Sequence, residues 1–142
     1  MLDDFFDVGA AMVTRLQAEV PELVAVGNTS NPATFEDEKR APSAWIVYDG
    51  YDVSNESKRT YPAQIFQHWV VGLVVQSPND KYGSKGRASA GSIMPKIILA
   101  LHGWKPTGIK ASSRMWLVPA PGEVIAGGHT IYFTRYRIGV VN

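Results

Sequence analysis

The 142-residue sequence contains no cysteine and only three histidines. The first absence excludes a disulfide framework, a thiolate metal site and a thiol nucleophile. The second leaves little for metal binding or acid–base work. His68, His102 and His129 stand 34 and 27 positions apart, so no two share a helix face as in an H-E-x-x-H pair. No stretch approaches the roughly 20 consecutive apolar residues of a membrane-spanning helix. The opening MLDDFFDVGA puts three aspartates where a secretory signal needs basic residues and an unbroken apolar run, and this predicts a protein kept in the cytosol. Asn28-Thr29-Ser30 and Asn55-Glu56-Ser57 are then chance matches to a glycosylation signal. GRASAGS, residues 86–92, copies the glycine spacing of a phosphate loop but lacks the lysine that must reach the phosphates. There is no G-x-S-x-G elbow either.

What is present describes a folded domain. The chain is 45% hydrophobic, 11% aromatic and 19% charged, far from the signature of disorder. Its length suits one hydrophobic core. Leu2, Phe5, Phe6, Met12, Val13, Leu16 and Val20 recur at helical spacing, and Gly9 takes the remaining place on that stripe. The spacing predicts a helix over 2–19, with Gly9 allowing another element to approach closely and Pro21 ending it. Leu23–Val26 reads as a short strand and Ala44–Tyr48 as a buried one. In QIFQHWVVGLVVQ, residues 64–76, the odd positions Ile65, Trp69, Val71, Leu73 and Val75 form an apolar face. Pairing of 44–53 with 60–76 predicts a hairpin that projects as an arm. Ile93, Met94, Ile97, Ile98 and Leu101 mark a second helix, with Ser92 as its N-cap and Pro95 in its first turn. Arg114–Val118 is a further strand candidate, and the chain closes in a hairpin turning on Gly127-Gly128. The expectation is a single α+β domain over residues 1–142. It has a largely antiparallel sheet, two main helices packed on one face and a long projecting hairpin.

His102 could be taken for a catalytic group, but LALHGWKP reads as a helix stop. Gly103 sits where a left-handed residue follows a helix, His102 is the cap, Trp104 packs back on Leu99, and Pro106 forbids continuation. Lys105 and a protonated His102 complement the negative end of the helix dipole. Asp49 and Asp52 flank Gly50 at a strand end, where turn chemistry explains them. His68, on the even face of its strand, reads as a hydrogen-bonded structural histidine.

Charge is unevenly spread. Residues 1–40 carry eight acids and three bases, and residues 41–142 carry five acids and eleven bases. Such a split suits identical subunits that meet head to tail. The polar stretches 27–42, 49–62 and 77–87 are the candidate contact regions, with Glu36, Asp37, Lys58, Arg59, Lys81, Lys85 and Arg87 as candidate contacts with a neighbouring subunit or another protein. Lys81, Tyr82, Lys85 and Arg87 form the nearest thing to a nucleic-acid stripe, and a solvated loop explains them as well.

The order and wording of VPELVAVG, RAPSAWIVYDGYDV, HWVVGLVV, ALHGWKP, PAPGE and TIYFTRYRI resemble the tail terminator (tail completion) proteins of long-tailed bacteriophages and prophages, especially Mu-like elements. The resemblance covers most of the chain and contains no catalytic motif. It implies a non-enzymatic α+β subunit without cofactor, forming a homo-hexameric ring on the completed tail tube. Such a ring ends polymerisation, presents a surface to the head connector and lets DNA pass. The implied location is the host cytoplasm during assembly and then the neck of the virion tail. Two other readings stay open: another neck component, such as a head-closure or minor tail protein, and a small enzyme or ligand-binding domain with a pocket around His68 and Tyr136.

Overall fold

The structure is a computed structural model and describes residues 4–30, 40–53, 64–78, 83–109 and 113–141. Helix α1 spans Asp7–Glu19 and buries Val8, Gly9, Met12 and Leu16, the stripe read from the sequence. It starts later than expected. Residues 4–6 form a turn in which Asp4 Oδ1 accepts the Phe6 N–H at 2.8 Å, satisfying a donor before the helical bonds begin. A Cβ on Gly9 would lie 2.6 Å from the Trp69 ring, so only glycine lets α1 come this close to the sheet.

Six strands follow among the described residues: β1 (Ala25–Asn28), β2 (Ser43–Val53), β3 (Gln64–Gln76), β4 (Trp116–Val118), β5 (Val124–Ala126) and β6 (His129–Val141). The order across the sheet is β1-β2-β3-β6-β4, and β5 also pairs with β6. Strand β1 runs parallel to β2, while the other pairs are antiparallel. Strands β4 and β5 share the outer edge of β6, facing residues 135–137 and 129–131 respectively. Pro119 and Pro121 lie in the gap between them and cannot donate to a ladder. The β5–β6 turn uses Gly127 and Gly128 at φ 57° and 81°, as a two-residue hairpin requires. The described part of the β2–β3 hairpin is no isolated ribbon, since β6 flanks β3 from Gln64 to Gln76. Its tip, 54–63, lies outside the described residues.

Two helices, α2 (Ser84–Ala90) and α3 (Met94–Leu101), replace the single second helix expected from the sequence. Ile93, not Ser92, is the N-cap of α3, and Pro95 falls in its first turn, where a missing N–H costs little. The three helices of the described residues all pack on one side of the sheet. The odd residues of β3, the even residues of β6, and Ala44 and Ile46 of β2 form one buried cluster with the helices. Gln67 is wholly buried within this layer. It donates to the Phe5 carbonyl at 2.7 Å and accepts from Trp69 Nε1 at 3.1 Å, which ties the start of α1 to the sheet without leaving a polar atom unsatisfied.

The stop after α3 differs in detail from the sequence reading. His102 is extended at φ −68°, ψ 125°, and Gly103 takes φ 80°. The Gly103 N–H goes across to the Met115 carbonyl at 2.6 Å and not back to the helix. The chain therefore turns toward β4, and Trp104 cannot fold back on Leu99, which stays 78% exposed. Trp104 packs on the main core instead, with the Arg15 guanidinium 5.6 Å from its ring centroid. Pro106 is buried just beyond. His102 Nδ1 accepts the Leu117 N–H at 2.9 Å. The imidazole thus satisfies a strand amide, where the sequence suggested a cation on the helix dipole.

Candidate assembly surfaces

Of the predicted contact residues, Glu36, Asp37, Lys58, Arg59 and Lys81 lie outside the described residues. Lys85 is exposed on α2, with Nζ donating to the Pro78 carbonyl at 3.1 Å. Arg87, one half-turn on, donates to Glu123 Oε1 at 2.8 Å. That bond holds the Glu123 carboxyl below the usual carboxylate range and ties α2 to the residue before β5.

The other side of the sheet carries no helix among the described residues. There Val74 and Ile131 are almost fully buried, covered by Trp45, Val47 and Phe133. This second hydrophobic cluster is made only of strand residues. Its rim is charged. Arg137 stacks 3.9 Å over the Phe66 ring and 5.8 Å from the Trp116 ring centroid, within cation–π range. Arg135 Nε lies 2.9 Å from Asp49 Oδ2, and His68 Nε2 lies 2.7 Å from Asp52 Oδ2.

The two aspartates owe these partners to a β-bulge, not to the turn inferred from the sequence. Tyr48 pairs with Trp69 but Tyr51 pairs with Gln67, so Asp49 and Gly50 together oppose His68. The extra residue, with Gly50 at φ 88°, re-aims the strand. The hydrogen bond from His68 is the main cause holding the exposed Asp52 carboxyl below its ordinary range, with Arg137 and Arg135 adding to it.

At the end of the sheet nearest the start of α1, Phe5, Phe6, Tyr48, Tyr51 and Trp69 meet edge to face, with centroids 5.2 to 6.0 Å apart. A groove of about 390 Å³ opens beside them, lined by Phe6, Asn28, Thr29, Ser30, Tyr48 and Trp69. Phe6 and Tyr51 remain more than half exposed. The sequence showed Phe5 and Phe6 as helix-stripe residues. Only the bulge, which brings Tyr51 level with Gln67, gathers the five rings.

The proposed pairing of His68 and Tyr136 does not occur. Tyr136 lies beside Trp69 in the core layer and His68 beside Arg137 on the helix-free side, so the sheet separates them. Burial pushes the Tyr136 hydroxyl up from its ordinary range. No group of three metal-ligating side chains forms among the described residues.

A family model described as phage tail terminator protein matches residues 1–138. Among curated proteins none matches the sequence. Among solved structures, a chain of the virion of the native gene transfer agent (GTA) particle superposes with a TM-score of 0.66 at 18% identity, over 98% of this chain and 100% of that one. At that identity the likeness is one of fold.

Proposed function

Because the chain belongs to the phage tail terminator family and so is a structural protein of a phage tail, we propose that it closes into a ring, a homo-hexamer, on the end of the tail tube. The ring stops polymerisation and offers its far side to the head connector. The observation that carries this reading is the one-sided sheet. Among the described residues one sheet face is buried under helices, while the other carries a second apolar cluster of strand residues with a charged rim, the composition of a subunit interface rather than of a reaction centre. A ring also needs two different surfaces per subunit that meet by rotation. Lys85 and Arg87 on the α2 rim belong to the proposed contact set, with no cofactor and no catalytic group. Residence is in the host cytoplasm before assembly and at the neck of the tail afterwards.

The test is mass by light scattering over a protein and salt series, alone and with purified tail tubes, combined with tube-length measurement by electron microscopy. A ring-sized species, or a monomer that caps tubes and fixes their length, supports the reading. A strict monomer that ignores tube ends while binding isolated head connectors overturns it in favour of another neck component.

A further inference from the structure

We infer that His102 guards the β4 edge of the sheet against pairing with a second copy of this chain, and that a proton on its Nδ1 opens that edge. This holds for the single chain, whether or not a ring forms. Strand β4 is the last in the order across the sheet, and a last strand offers its unpaired backbone groups as a template for another chain. In an antiparallel ladder successive residues direct their N–H and C=O groups alternately toward and away from the neighbouring strand. Met115 and Leu117 point away from β6. The chain leaving α3 covers the first with backbone: the Gly103 N–H donates to the Met115 carbonyl at 2.6 Å, and the Met115 N–H donates to the Trp104 carbonyl at 2.7 Å. Leu117 is covered by a side chain instead. Its N–H donates to His102 Nδ1 at 2.9 Å, and with Trp116 and Val118 turned toward Arg137 and Arg135 of β6, it is the one outward N–H of this three-residue strand. The bond requires the neutral imidazole with its proton on Nε2.

Protonation turns Nδ1 from acceptor into donor, so two donors face each other and the bond is lost. The charges around the ring give protonation no compensation. Arg114 donates to the Gly103 carbonyl at 2.9 Å, and Lys105 follows in the same turn. Arg15 of α1 donates to the Ala100 carbonyl at 2.9 Å and is matched by Glu19 at 3.1 Å, while Lys96 of α3 is matched by Glu22 at 2.9 Å. On β6, Arg135 and Arg137 lie on the helix-free side, whereas Leu117 stands level with Tyr136 of the core layer. Among the described residues no carboxylate bonds the imidazole. What meets the opened edge is a second β4. Leu117 offers one N–H and one C=O in the same direction, the pair that antiparallel strands exchange, so the same residue of another copy is its complement about a twofold axis. Its side chain, 39% exposed, adds apolar area to that contact. Such a pair is isologous and closes on two chains, which a ring of heterologous contacts has to avoid.

The Leu117 amide reports the guard directly. In the full-length chain its hydrogen-exchange protection, measured by NMR, should fall roughly tenfold from about pH 8 to about pH 5, the span over which histidines titrate, while the Met115 amide keeps its protection. His102→Asn keeps an acceptor oxygen close to the place of Nδ1 without a titrating group, and should protect Leu117 at both pH values. His102→Leu should leave it unprotected at both. Pairing is read from Leu117→Cys, which supplies the single thiol of a chain without cysteine. At neutral pH under oxidising conditions it should form a disulfide-linked pair in the His102→Leu background and none with His102 in place. Protection of Leu117 that is unchanged in acid, or unchanged in His102→Leu, overturns the guard. Cross-linking that is the same with and without His102, or absent from both, overturns the second copy as the strand that is kept out. If thermal melting shows that His102→Leu does not fold, His102→Ala takes its place in both measurements.

Discussion

The two faces of the sheet in this protein are both apolar and yet do different work. The helix-side face closes over Trp69, Leu73, Tyr136 and Ile138, all essentially inaccessible, and it holds the fold. Among the described residues the buried hydrophobics of the other face are Val74 and Ile131, with Trp45, Val47 and Phe133 packed against them. Burial of apolar area stabilises by about 25 cal/mol per Å², so the first face has realised most of its contribution in the single chain. The second face realises less of its contribution among the described residues, and on the ring proposal the remainder belongs to the neighbouring subunit. A change on the first face should therefore cost stability, and a change on the second should cost assembly.

Trp69→Ala should have the largest effect. It empties the place where α1 meets β3 and should lower unfolding free energy by about 3–5 kcal/mol, measured by urea or thermal denaturation. Gly9→Val attacks the same contact from the helix. With a Cβ only 2.6 Å from the Trp69 ring, overpacking should cost about 1–3 kcal/mol. Gly103→Val meets nothing within 4 Å but must hold φ 80° with a β-branched side chain, which should cost about 1–2 kcal/mol. An unchanged melting temperature would sink the proposed turn from α3 toward β4. Trp45→Ala is the sharpest test of the comparison. It should cost less in the monomer than Trp69→Ala, because Trp45 is only partly buried, while abolishing ring formation by light scattering. A loss as large as that of Trp69→Ala would mean that the second face also holds the fold.

The smallest effect concerns Asp52. Its folded carboxyl is held below the ordinary value, so its contribution is present above about pH 4, the unfolded carboxylate range, and disappears as pH falls through the lower folded value. Acid titration of wild type and Asp52→Asn should show a modest stability difference at neutral pH that closes as the solution is acidified. A difference independent of pH would remove the His68 contact as its cause.

Much of this was legible along the chain. The i, i+3, i+4 pattern marked α1, and Pro21 marked its end; alternation marked β3; Gly127-Gly128 marked the last turn. Helix α2 was not legible because only Gly86 and Ala90 of SKGRASA are buried, too few to form an apolar stripe. The bulge was hidden because DGYD at a strand end has the composition of a turn. The contact surfaces were the least legible part. The even residues of β3 include Phe66, Val70 and Val74, so both faces look fit for a core and period alone cannot choose between them.

By itself, then, the sequence determined where most helices and strands run, that no cysteine, paired histidine or phosphate-loop chemistry is available, and where glycine and proline break the elements. Those properties depend on neighbours within a few residues, where backbone sterics and side-chain period act. Tertiary structure alone decided which sheet face received the helices, that β1 joins parallel to β2, and that Asp52 reaches His68 and Asp49 reaches Arg135. Each of these depends on strand register and on the packing of the whole core, which bring together residues distant in the chain through energies that no local pattern records.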